Sequence, residues 1–79
     1  MAKVKRVIIT PKVILVKEND DLNRVLNYLQ NDEEVIVNVS LLDMKASYRI
    51  VNFLSGYVYA YNGKRKKLED KIYSFKLRW

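Results

Sequence analysis

The chain is predicted to be an α/β protein, a compact two-layer sandwich pairing a mixed sheet of about five strands with two helices. Three observations predict this class. Short β-branched runs alternate with stretches of helical period, as they do when strands and helices share one core. Turn signals at Asn62-Gly63 and Glu69-Asp70 divide the C-terminal third into short extended pieces. Seventy-nine residues, 49% of them apolar, suffice for one folded domain over 1–79 and leave no room for a second.

The elements follow in order. Val4–Ile9 and Val13–Val16 are β-branched runs separated by Thr10-Pro11. Proline cannot donate to a sheet ladder, so they read as two short strands or one interrupted at an edge. Asn19-Asp20-Asp21 supplies an N-cap and an acidic first turn for a helix whose stripe is Leu22, Val25, Leu26 and Leu29. Asn31–Glu34 ends it. Val35–Val39 is apolar except at Asn38, as expected of a central strand covered on both faces. Asn38 then needs a polar partner, most simply the loop before the next helix. Ser40 or Asp43 can cap that helix, whose core face reads Ala46, Ile50, Phe53 and Leu54. Gly56 occupies the place of a glycine stop with positive φ. Tyr57–Tyr61 then reads as a strand, Asn62-Gly63 as a two-residue hairpin turn, and Lys64–Leu68 as the returning strand. Glu69-Asp70 turns the chain into a last strand, Lys71–Leu77.

Size and composition bear on partners. A domain of this length buries only about 60% of its unfolded surface. It has no cysteine for disulfides and no histidine, so neither of the commonest zinc ligands is present. No metal or cofactor is expected. Self-association is the remaining way to bury more apolar surface, and an oligomer is expected. The formal charge of +6 admits nucleic acid, an anionic membrane surface or an acidic protein segment as partner. No apolar run follows Lys3, Lys5 and Arg6 that could serve as a signal peptide or membrane span.

Enzymatic chemistry has little to stand on. Ser40, Ser47, Ser55 and Ser74 have no base partner at a motif spacing, and two glycines make no phosphate-binding loop. Asp20-Asp21 and Asp32-Glu33-Glu34 read as solvated charges at helix ends. The strongest basic feature is Lys64, Arg65, Lys66 and Lys67. With Tyr57, Tyr59 and Tyr61 on an adjacent strand it would form a stacking, phosphate-binding surface for nucleic acid. The plainer reading is a lysine-rich edge strand that discourages edge-to-edge pairing. Tyr48, Arg49 and Phe53 on the second helix place a cation beside aromatics, a combination enriched where proteins bind one another.

The string Arg49-Ile-Val-Asn-Phe-Leu-Ser-Gly56, preceded by a strand ending in Val37-Asn38 and followed by Val58-Tyr-Ala60, resembles the SepF cell-division family. That family carries Arg-Ile-Val-Asp-Phe-Leu-Ser-Gly and then Val-Tyr-Ala. The resemblance extends from about Val13 to Leu77 and is strongest over 35–60. It implies a dimeric α/β sandwich that acts as a non-enzymatic scaffold. Such a scaffold binds the C-terminal tail of the tubulin-like protein FtsZ, in the cytoplasm at the division site. In the family an N-terminal amphipathic helix ties the domain to the inner face of the membrane. Arg49 matches the helix arginine and Phe53 the phenylalanine lining the tail site. Tyr48 stands where bacterial members often have lysine, and Asn52 replaces an aspartate. Gly56 matches the glycine at which bacterial dimers meet neighbours in polymers.

Three departures accompany the match. Val16-Lys17 replaces a Glu-Pro, the end reads Tyr73-Ser-Phe-Lys-Leu-Arg-Trp79, and the anchoring helix is not among these residues. They imply an archaeal or divergent member, membrane-bound only through a segment not present here. Nucleic acid is then the less favoured partner.

Overall fold

A computed structural model describes residues 11–77. They form β1 (Lys12–Leu15), α1 (Asn19–Gln30), β2 (Val35–Asn38), α2 (Met44–Ala60), β3 (Lys64–Glu69) and β4 (Ile72–Lys76). The expected strand over Val4–Ile9 lies outside the described residues. The sheet order is β1-β2-β4-β3, with β1 and β2 parallel and the other pairs antiparallel. The mixed α/β architecture is as expected, with four strands among the described residues rather than about five.

Register explains the core. Ile14 stands opposite Val37, and Val35 opposite Phe75. Paired residues share a face, so these side chains all point to one side, where α1 covers β1 and β2 and α2 covers β3 and β4. Val25 and Leu29 of α1 and Val51, Leu54 and Val58 of α2 close over them. Each such side chain contributes about 1.5–3 kcal/mol when removed from water. Among the described residues no helix covers the opposite sheet face, where Val13 is 69% exposed. Burial alternates along β2, with Val35 and Val37 buried on the helix side and Ile36 and Asn38 half-buried on the other, so its two faces are not equally covered as its apolar run suggested.

The first helix starts one residue earlier than expected, with Glu18 rather than Asn19 as N-cap. Asp21 explains the shift. Its carboxylate accepts the backbone N–H groups of Lys17 (2.8 Å) and Glu18 (3.2 Å), reaching back over the helix start. Asp43 caps α2, accepting from the Ala46 N–H at 2.8 Å. Asn38 does satisfy itself locally, its side-chain oxygen accepting from the Ser40 N–H at 2.9 Å.

The largest correction concerns the end of α2. Gly56 does not stop this helix and has no positive φ; Tyr57–Ala60 is helical rather than extended. The alternating Tyr-Val-Tyr-Ala-Tyr pattern mimics a strand, but Val51, Leu54 and Val58 continue the helical stripe into the core. Termination falls to Asn62, which takes the left-handed conformation at φ 62°. Its N–H bonds the Tyr59 carbonyl at 3.0 Å, and the Gly63 N–H bonds the Val58 carbonyl at 2.6 Å. That pair is a Schellman motif. Asn62-Gly63 is therefore a helix stop, not a hairpin turn. Gly63 is required for space, since a Cβ there would collide with the Lys76 carbonyl oxygen and lie 2.8 Å from Leu77 Cα. The hairpin that does form joins β3 and β4 through Asp70 and Lys71, the latter at φ 64°.

Candidate functional site

Helix α2 presents two distinct surfaces outside its core stripe. Ser47, Val51, Leu54, Ser55 and Val58 face inward, so the stripe is rotated from the expected Ala46, Ile50, Phe53 and Leu54. Two serines can occupy it because each hydroxyl has a local acceptor. Ser47 Oγ lies 2.8 Å from the Asp43 carbonyl oxygen and 3.2 Å from that of Val39, and Ser55 Oγ donates to the Val51 carbonyl at 2.6 Å. Phe53 is thereby displaced outward, 49% exposed rather than part of the core.

Arg49 and Phe53 lie one helical turn apart on the outer side, both exposed. Gly56 follows on the same side, and a Cβ built on it would meet nothing within 4 Å. Tyr48 is 59% exposed but points elsewhere. At about 100° per residue it stands roughly 140° around the helix from Phe53. The structure therefore brings Arg49, Phe53 and Gly56 together and sets Tyr48 apart from them.

Tyr48 belongs instead to a cleft of about 150 Å³ between the start of α2 and the β3–β4 turn. Val39, Ser47, Val51 and Tyr73 line it from within, and Met44, Tyr48, Lys67, Asp70 and Lys71 complete its wall. A backbone bond from the Val39 N–H to the Lys71 carbonyl, 2.9 Å, ties its two sides. Val39 just after β2, Val51 of α2 and Lys67 and Lys71 of the β3–β4 hairpin are far apart in sequence, so no local motif announces this cleft. A second, more open hollow of about 320 Å³ lies at the other end of α2, beside Gln30, Asp32, Tyr57, Tyr61 and Leu77.

The basic strand is less uniform than its sequence. All of β3 is exposed, but register places Lys64 and Lys66 with Lys76 and Ser74 on the helix-free face, while Arg65 and Lys67 share the helix side. Arg65 Nη1 donates to Ser55 Oγ at 3.2 Å, and its guanidinium sits 5.8 Å from the Tyr73 ring centre. One of the four cations thus bridges sheet and helix. Of the tyrosines expected beside this strand, Tyr57 and Tyr59 are on α2 and Tyr61 is its C-cap. Tyr57 and Tyr61 pack ring against ring at 5.3 Å, and Tyr59 is exposed on the helix. The stacking platform proposed for nucleic acid is not assembled at β3.

Among the described residues, no helix is long and apolar enough to cross a membrane. The family model described as cell division protein SepF matches residues 12–75. The chain is 36% identical over 66 residues to the cell division protein SepF of Lactobacillus gasseri, covering 81% of this chain and 46% of that protein. It is 39% identical over 66 residues to the SepF of Clostridium tetani, covering 81% and 43%. This chain therefore spans less than half the length of these relatives. Among solved structures, a SepF-like protein from Pyrococcus furiosus superimposes with a TM-score of 0.70 at 24% identity, over 91% of this chain and 89% of that one. That likeness speaks for the fold, and the family-model match over 12–75 for kinship. The chain belongs to the SepF family of cell division proteins.

Proposed function

We propose that this chain is a non-enzymatic adaptor of the division machinery, a homodimer that holds the C-terminal tail of FtsZ. In the family an anchoring segment ties such a dimer, and with it the filament, to the inner face of the membrane. The observation that carries the reading is the exposure of Phe53 next to Arg49 on α2. A large aromatic left 49% in solvent beside a cation, while its neighbour Leu54 is fully buried, suits contact with another chain. Pairing is supported by the helix-free sheet face, where Val13 and Leu15 stay exposed in a domain with little core to spare. Gly56 leaves room for close approach on the outer side of α2, where a further copy could meet it. A disordered tail loses conformational freedom on binding, so a single contact is weak, and two sites on one dimer make tethering effective.

The test is titration of a labelled FtsZ tail peptide against wild type and Phe53→Ala, with light scattering on both. A dimer is expected, and the variant should lose about tenfold in affinity, or 1.4 kcal/mol. Equal binding by a folded Phe53→Ala protein would remove Phe53 from the site, and a strict monomer would remove the tether.

A further inference from the structure

We infer that the cleft between α2 and the β3–β4 turn receives one bulky apolar side chain of an extended peptide, with a neighbouring carboxylate of that peptide on Lys67 and Lys71. The inference rests on the peptide-binding reading of α2 and names the kind of residue that reading leaves open. Size comes first. A cavity near 150 Å³ admits a group the size of benzene, hence a single leucine or phenylalanine side chain rather than a folded surface. Lining comes second. Val39 and Val51 floor the cleft, and Met44 and Tyr48, 65% and 59% exposed, give its wall apolar surface for contact.

Charge decides the rest. Lys67 and Lys71 stand at the wall with Asp70 as the only opposing charge among the described lining residues, in a chain carrying +6 overall. Neither lysine makes an ion pair with a described residue. An apolar ligand alone would leave those ammonium groups idle. A phosphate backbone would use them but not the apolar depth. An apolar residue flanked by aspartate or glutamate satisfies both. Tyr48, at the lip, adds an amphipathic ring of the kind favoured at such contacts.

The experiment uses three fluorescent ten-residue peptides. One carries a leucine between two aspartates, one has asparagines in place of the aspartates, and one has glycine in place of the leucine. Each is titrated against wild type, Lys67→Glu/Lys71→Glu and Phe53→Ala, with methyl NMR of Val39 and Val51 on the wild-type complex. The acidic leucine peptide should bind wild type, shift both valine methyls, and lose about threefold with the asparagine replacement and about tenfold with the glycine replacement. On the lysine double variant the asparagine replacement should cost nothing further, which isolates the charge contact. Lys67 is exposed and Lys71 half-buried, and a melting curve establishes that the variant is folded. Binding that leaves the valine methyls unmoved, ignores the lysine variant and vanishes in Phe53→Ala would overturn this inference while keeping the tail on the outer side of α2. No binding of any peptide, or of an FtsZ tail, would sink the inference and the tail-binding reading together. Binding of phosphatidylglycerol vesicles through Lys67 and Lys71 without any peptide binding would reassign those lysines to lipid and equally refute it.

Discussion

Arg65 of β3 donates to the Ser55 hydroxyl of α2 at 3.2 Å, and that hydroxyl donates in turn to the Val51 carbonyl at 2.6 Å. A residue that looks like one of four interchangeable surface cations thus ties the edge of the sheet to the helix. Arg65→Ala should destabilise the fold by about 1 kcal/mol, while Lys64→Ala stays within about 0.5 kcal/mol of wild type. Urea denaturation of the two variants side by side measures the difference, and equal midpoints would contradict the bridge.

The two glycines should respond in opposite directions. Gly56 lies inside α2 with open space where a Cβ would go, so Gly56→Ala should stabilise by about 0.5–1 kcal/mol through helix propensity. At Gly63 a methyl would meet backbone atoms on both sides, and the wall there cannot yield as a side chain would. Gly63→Ala should cost about 2 kcal/mol or more. Thermal melts distinguish the two. Destabilisation at Gly56 would mean that the helix does not run through it.

Adjacent residues Phe53 and Leu54 should separate stability from recognition. Leu54→Ala removes a fully buried side chain and should cost about 2–5 kcal/mol. Phe53→Ala, half in solvent, should cost less than about 1 kcal/mol in the isolated monomer. Denaturant midpoints at low concentration, where self-association is weakest, give the comparison.

Acid stability should depend on Asp21. The Lys17 N–H bond, foremost, holds its pKa below the ordinary aspartate value of 3.8, helped by the Glu18 N–H and by Arg24 at 3.6 Å. A depressed carboxyl contributes stability that is complete above its unfolded value and lost as the pH falls through the folded one. Between about pH 5 and pH 2 the melting temperature of wild type should therefore drop more steeply than that of Asp21→Asn. Parallel pH profiles would show that this turn does not contribute.

Much of the fold is legible in local pattern. The stripe of α1, the β-branched run of β2 and the turn after Glu69 each carry one period and one boundary signal, and each forms near its predicted place. Tyr57–Tyr61 fails for a physical reason: five residues of alternating size satisfy both a strand and the outer half of a helix. Only the distant partners of Val58 in the core decide between them. Gly56 misleads because a solvent-facing glycine weakens a helix without ending it when tertiary burial on the opposite side is sufficient. On the candidate site, Tyr48, Arg49 and Phe53 are all at the surface, but a hydrophobic stripe rotated by two buried serines sends Tyr48 one way and Phe53 another. The cleft itself was not legible, because Val39, Val51, Lys67 and Lys71 meet only after the sheet is assembled.

The bond from the Val39 N–H to the Lys71 carbonyl joins the floor of that cleft to the β3–β4 turn in its wall. With Asp43 capping the start of α2 next to it, both walls of the cleft are held by hydrogen bonds of the folded chain. A receptor set in advance sacrifices no freedom of its own on capture, so sequence preferences among ligands will register as residence time rather than as speed of arrival.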